Sequence, residues 1–321
     1  MDLTAEIERS GFLITIYNFS MREIGIVGLG RMGAGIGRRL KAKGWRVAGY
    51  DVSEDIRRKL REGGIEVFDE IADLCKWFKG KRLIWIMVPA NVVDDALESL
   101  KPFLRSGDIL IEGGNSYFRD SIRRYEELKS RGVDFLDVGV SGGVWGEKEG
   151  YCLMIGGERK VFLEVENLFK DLAYGEDGYG YVGKPGSGHF VKMVHNGIEY
   201  GMMQAIAEGF ELMKESDFDL DLEEVARIYT RGSVIRSWLM DLTYKAFKDF
   251  KGLEGIEPYV EDSGEGRWTV LEGVRTGVPL WVIADALWGR FRSRQSNSFR
   301  DKLLAALRFE FGGHTVKRKE K

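Results

Sequence analysis

A chain of 321 residues, 44% hydrophobic and 12% aromatic, is long enough for a substantial core and for two domains. Its 48 basic and 51 acidic side chains nearly cancel, so no global field draws in nucleic acid and any anion site must be local. Two cysteines, Cys75 and Cys152, make no disulfide framework and favour a reducing, cytoplasmic setting; three histidines without an HExxH or CxxC pattern give no dedicated metal site; no apolar run approaches a membrane span.

The apolar stretch from Gly11 to Phe19 is short and preceded by acids, a poor match to a signal peptide. Met21 opens a natural first strand, so residues 1–20 are expected to be an extension added to a unit that begins at 21. Ile24 to Gly28 is β-branched and apolar and enters Gly28-Leu29-Gly30-Arg31-Met32-Gly33, followed by a helical pattern from Ile36 to Lys43. In that context the glycines allow a tight turn and close backbone approach to a pyrophosphate, held at the positive end of a helix dipole. A second strand, Arg46 to Tyr50, ends at Asp51, where a carboxylate meets ribose hydroxyls and repels a 2′-phosphate. NAD is therefore favoured as cofactor, while Arg57 and Arg58 leave NADP open.

Strand-like Glu66 to Phe68, Arg82 to Val88 and Ile109 to Glu112 alternate with helical Asp69 to Phe78, Asn91 to Leu104 and Asp120 to Arg131. Alternation of this kind predicts a doubly wound, Rossmann-type parallel sheet, with ligands at the carboxyl ends of its strands. Val88-Pro89 and Gly113-Gly114-Asn115-Ser116 are such ends. A strand from Asp134 to Val138 then runs into Gly139-Val140-Ser141-Gly142-Gly143, whose free backbone N–H groups and Ser141 hydroxyl suit an anion, although a hairpin tip reads equally well. Tyr151 to Gly157 resembles a strand and Val161 to Leu172 a helix. Lys184-Pro185-Gly186 punctuates the end of the α/β part, giving domains 21–184 and 185–321.

The second domain reads as all-α, beginning with a helix from about Ser187 to Glu215. Along it Lys192, His195, Asn196 and Glu199 fall at i, i+3, i+4 and i+7, a polar stripe flanked by Phe190, Met193, Val194 and Ile198. Such a stripe is expected to line an internal cleft, the alternative being a solvated face. Gly197, Gly201, Ala205 and Gly209 recur every fourth residue, predicting close approach of another backbone. Helices are further expected over Asp221 to Tyr229, with Asp221 and Glu224 as capping residues, and over Ser237 to Phe250, Val278 to Arg292 and Phe299 to Phe311.

From Met21 to Thr315 the chain resembles the decarboxylating 6-phosphogluconate dehydrogenases, in particular their shorter, usually NAD-linked branch. The resemblance rests on Glu112 to Ser116, Val140 to Gly143, the run Gly188 to Tyr200, and Phe311-Gly312-Gly313-His314. It implies that Lys192 is the general base on the substrate 3-hydroxyl, and a lysine serves so only where burial or a neighbouring charge lowers its pKa. It implies that Glu199 is the acid that protonates C1 of the enediol left by loss of carbon dioxide. Ser141, Gly142, Gly143, His195 and Asn196 would orient a phosphorylated sugar acid, Asn115 would touch both substrate and cofactor, and no metal is needed. Tyr200 and Arg290 would bind the phosphate, with Arg308 and His314 supplied by the neighbouring subunit of a homodimer or higher homo-oligomer. The longer enzymes' phosphate-binding lysine falls near Ser263, where this chain has none, and Arg267 is the nearby candidate to replace it.

Two alternatives remain open. A 3-hydroxyacid dehydrogenase of the same superfamily would share the glycine fingerprint, the Ser-Gly-Gly loop and the Lys-x-x-x-Asn spacing, but not Glu199, His195 and the Arg308 to His314 tail. A non-catalytic dinucleotide-binding regulator would have no use for both Lys192 and Glu199.

Overall fold

The computed structural model describes residues 22–312 and 315–317, without the side chains of 311 and 312, so the expectations for residues 1–20 and for His314 lie outside the described residues. Two compact units emerge, the first ending at His195 and the second beginning at Asn196.

The first unit is built on eight strands: β1 (Glu23–Val27), β2 (Arg46–Tyr50), β3 (Glu66–Val67), β4 (Leu83–Ile86), β5 (Ile109–Glu112), β6 (Asp134–Ser141), β7 (Cys152–Gly157) and β8 (Tyr179–Gly183). They form one sheet in the order β3-β2-β1-β4-β5-β6-β7-β8. The central strands β1, β4 and β5 are apolar except at Glu23 and Glu112, because both faces are covered. Ile24, Leu83, Trp85, Ile109 and Ile111 enter one buried cluster, and Val27, Ile84, Ile86 and Leu110 enter the other. Each such side chain contributes about 1.5–3 kcal/mol by leaving water. This is the expected Rossmann-type architecture, with the order reversing between β1 and β4.

Several local readings change. The sheet is not wholly parallel, since β6 and β7 run antiparallel with Ser141 opposite Cys152. Gly139 and Val140 belong to β6, not to the loop after it; their side-chain faces are covered, so the strand persists past Val138. The sequence reading missed β8, whose Tyr-Gly-Tyr-Val-Gly composition lacks the usual β-branched run. One helix expected from Val161 to Leu172 is two, Arg159–Glu164 and Glu166–Leu172, broken where Val165 leaves helical geometry at φ −115° and ψ 18°.

The second unit is all-α among its described residues. It contains the greater part of the helix Ser187–Lys214, then Leu222–Tyr229, Trp238–Asp249, Glu265–Thr276, Trp281–Ser293 and Phe299–Gly312. Asp221 caps as expected, accepting from the Glu224 N–H, and Ser237 does the same for Met240. Glu265–Thr276 was not foreseen, because Gly264, Gly266 and Gly273 obscure its apolar period. The glycine row also has a different cause from the one expected. A Cβ on Gly197 would lie 2.7 Å from Thr269 Cγ2 and one on Gly201 3.1 Å from Val282 Cγ1, while Gly209 faces open space. Side chains of neighbouring helices, not a second backbone, press on the first two positions.

Candidate active site

The glycine turn after β1 is shaped by its neighbours at two of its three glycines. Gly28 has φ +94°, and a Cβ there would lie 2.6 Å from the Met87 carbonyl oxygen; one on Gly33 would lie 2.0 Å from the Gly28 oxygen. Gly30 differs, with nothing within 4 Å of its would-be Cβ. No protein atom demands a glycine at 30, so the space above it is free for a ligand to approach the backbone. Gly30 is the N-cap of the helix Arg31–Ala42 and no side chain caps that end. The uncapped N–H groups around Arg31, Met32 and Gly33 are therefore available to an anion.

Asp51 closes the same end of the sheet. It is 9% exposed, its Oδ2 accepts from the Leu29 N–H at 2.7 Å and its Oδ1 from the Ser53 N–H at 2.9 Å. A carboxylate oxygen so held keeps a second lone pair for a hydroxyl. Arg57 and Arg58 are both engaged: Arg57 by the carbonyls of Asp51 and Val52 and by Asp69, Arg58 by Asp55. Val88 is half-buried and Pro89 and Asn115 are exposed just past the ends of β4 and β5. These groups fit a dinucleotide.

Lys192 is positioned by backbone packing. A Cβ on Gly139 of β6 would lie 2.4 Å from Lys192 Cβ, and one on Gly188 would lie 2.2 Å from the Asp137 carbonyl oxygen, so helix and strand meet without intervening side chains. Asp137, fully buried, accepts from Gly186 N–H through Oδ1 at 2.7 Å and from His189 N–H through Oδ2 at 2.9 Å. It neutralises the helix start from within the sheet. Sequence reasoning missed this residue, although an acid inside the otherwise apolar run Phe135 to Val140 was its visible signal. Lys192 is 7% exposed, with Nζ 3.5 Å from His195 Nδ1, and Ser141 Oγ lies 3.3 Å from His195 Nε2. With Nε2 protonated, the lysine donates to Nδ1 and the imidazole to the hydroxyl. Gly142 and Gly143 follow at φ +132° and +53°.

Beneath this array lies a buried polar network that was also unforeseen. Arg124 bonds Glu112 at 2.7 Å and Asp94 at 2.7 Å, and Ser121 Oγ links Glu112 to His189 Nδ1. Its Arg124 contact, above all, holds the Asp94 carboxyl down at about 2.

In the second unit the expected phosphate ligands gather on Tyr200. Asn196 and Tyr200 are buried and Glu199 is half-buried, so the stripe is not a solvated face. The Arg290 guanidinium carbon stands 3.6 Å from the Tyr200 ring centroid, and the Ser263 N–H faces the Tyr200 hydroxyl at 3.4 Å. Arg267 grips Asp262 through two nitrogens at 2.6 and 3.0 Å, so it is not a free replacement for the missing lysine. Arg308 is exposed on the last helix and is not brought to this cluster by the single chain. Among the described residues no group of three His, Cys, Asp or Glu is placed to hold a metal ion.

Residues 23–183 match the NAD-binding domain model of 6-phosphogluconate dehydrogenase, and residues 188–303 match the C-terminal domain model of the same enzyme. The chain belongs to the 6-phosphogluconate dehydrogenase family. Bacillus subtilis YqeC, whose name places it provisionally in this family, is 46% identical over 92% of this chain and all of that protein. The Haloferax volcanii 6-phosphogluconate dehydrogenase, named as NAD(+)-dependent and decarboxylating, is 41% identical over 93% of this chain and 99% of its own length. Among solved structures, the Plasmodium falciparum 6-phosphogluconate dehydrogenase superposes with a TM-score of 0.79 at 27% identity, covering 93% of this chain and 67% of that one. A Mycobacterium tuberculosis 3-hydroxyisobutyrate dehydrogenase shares the fold, with a TM-score of 0.69 at 20% identity over 90% of this chain and 99% of that one.

Proposed function

We propose that this chain oxidises 6-phosphogluconate at C3 and decarboxylates the product to ribulose 5-phosphate, with NAD as the hydride acceptor. The observation that carries the reading is Lys192: withdrawn from water, it sits beside an imidazole whose other nitrogen meets a serine hydroxyl, an arrangement suited to taking a proton from a substrate alcohol. Lys192 removes the 3-hydroxyl proton, and Ser141, His195 and Asn196 hold the substrate so that this proton faces the amine. The bound cofactor supplies the hydride-accepting chemistry. The resulting β-keto acid loses carbon dioxide without a metal, and Glu199, seven residues further along the helix, protonates C1 of the enediol. Tyr200, Arg290 and the Ser263 backbone N–H take the phosphate, Arg290 as a planar fork.

NAD is preferred to NADP because Asp51 stands at the ribose position and neither Arg57 nor Arg58 is free to offset it. The protein acts as a homodimer or higher homo-oligomer in which Arg308 and His314 complete the neighbouring subunit's phosphate site. Supporting this, the final helices expose Trp281, Trp288, Leu304, Leu307 and Phe309, each at least 46% accessible. Cys75 and Cys152 are both unpaired, in keeping with a cytoplasmic setting. No helix among the described residues is long and apolar enough to cross a membrane.

The test is the purified protein with 6-phosphogluconate and either cofactor, following reduced cofactor and carbon dioxide together. Equal amounts of both products, faster with NAD, are expected. Reduced cofactor without carbon dioxide would indicate the non-decarboxylating 3-hydroxyacid dehydrogenase, and NAD binding without turnover of any aldonate a regulatory protein.

A further inference from the structure

At the adenosine end of the sheet two guanidinium groups converge on one carboxylate oxygen. Asp69 Oδ1 lies 3.0 Å from Arg57 Nε and 2.7 Å from an Arg61 terminal nitrogen. Arg57 is anchored to the carbonyls of Asp51 and Val52, the residues at the carboxyl end of β2, at 2.7 and 3.1 Å. Arg61 is anchored to the Val67 carbonyl at the end of β3, at 3.0 Å. Arg57 therefore spends part of its fork on the backbone at the ribose-binding position and Arg61 part of its own at the end of β3, and each turns another nitrogen to Asp69. Two arginines aimed at a single anionic oxygen form the kind of cradle that a phosphate oxygen occupies equally well. Here the protein's own carboxylate fills it. Asp69 is 64% exposed at the side chain, so its place is open to an incoming ligand.

We propose that Asp69 is a second determinant of cofactor choice: by occupying Arg57 and Arg61 it withholds a latent 2′-phosphate site, so the preference for NAD rests on two carboxylates and not on Asp51 alone. The inference rests on the reading that a dinucleotide binds along β1 and β2 with its adenosine ribose at Asp51. The competing explanation is that the two ion pairs only tie the helix Glu54–Glu62 to the end of β3. Loss of a tie would weaken the fold and both cofactors together, whereas loss of a mask changes their ratio.

The experiment is calorimetric titration of NAD and NADP into the full-length protein, with no sugar acid present, for the wild type, Asp69→Asn, and Asp69→Asn combined with Arg57→Ala. Asp69→Asn keeps the shape but removes the charge. Its NADP dissociation constant should fall about tenfold while that for NAD stays within about twofold, and adding Arg57→Ala should return NADP to the wild-type value. Unchanged NADP affinity, or parallel weakening of both cofactors with a lower melting temperature, would overturn the proposal. Failure of the wild type to bind NAD would instead overturn the dinucleotide reading on which it depends.

Discussion

Replacing Gly139 with alanine tests how Lys192 is placed. The added Cβ would lie 2.4 Å from Lys192 Cβ, 3.0 Å from the Gly188 carbonyl oxygen and 3.2 Å from Lys192 Cγ. Carbon atoms rest comfortably about 3.5–4.0 Å apart, so strand and helix must separate by about 1 Å. Neither yields readily. The strand β6 is hydrogen-bonded to β5 on one side and β7 on the other, and the helix start is held by the Asp137 carboxylate. Overpacking of this kind costs about 1–3 kcal/mol of stability. If Lys192 is the base we propose, displacing it by about 1 Å is expected to lower kcat by about 10²-fold. Steady-state formation of NADH and carbon dioxide, thermal unfolding, and calorimetric NAD affinity measure the three consequences separately. Turnover and stability should fall while NAD affinity holds, because the glycine turn lies on other strands. Full kcat in a destabilised Gly139→Ala protein would refute the link between this contact and the base; full kcat with full stability would refute the contact itself.

Other outcomes follow from the same geometry. Gly30→Ala should leave the melting temperature unchanged, since its Cβ meets nothing within 4 Å, yet weaken NAD binding about tenfold or more because only the ligand needs that space; calorimetry beside thermal unfolding decides. Lys192→Met should abolish hydride transfer in single-turnover experiments, whereas Glu199→Gln should retain it and slow the later steps, and normal turnover in either variant removes that residue from its role. The Asp262 carboxyl is held below the usual carboxylate range, chiefly by its hydrogen bond to Arg267 and then by Arg294, against the opposing effect of burial. Its contribution to stability is therefore complete above the unfolded carboxylate pKa of about 3.9 and is lost as pH falls through the lower folded value. Denaturant unfolding from pH 6 to pH 2 should show a shallower acid loss in Asp262→Asn than in the wild type.

The cofactor end we propose is drawn from local chemistry. The glycines at 28, 30 and 33 and the acid at 51 act through backbone turns and strand ends within one βαβ unit, so their spacing carries their meaning. The helical stripe of Lys192, His195, Asn196 and Glu199 was equally visible, because a period of 3.6 needs no tertiary knowledge. Long-range partners were not. That Asp137 would cap a helix some fifty residues later, or that Ser121 would meet His189, depends on strand order and register, which a single sequence does not display. Arg57 could not be judged for a related reason: its partners include backbone carbonyls, and carbonyls are common to every residue. The helix Glu265–Thr276 was hidden by glycines whose space is taken by Tyr200 and Leu280, a requirement visible only in three dimensions.

The cap provided by Asp137 has a consequence for how the helix Ser187–Lys214 opens. Helix ends ordinarily fray, and their first amides exchange with solvent long before the middle does. Here the N–H groups of Gly186 and His189 are tied to a side chain that is itself enclosed in the sheet. Their protons can leave only once the helix start parts from this enclosed carboxylate, so in deuterated water the amides of Gly186 and His189 should outlast those of an uncapped helix start.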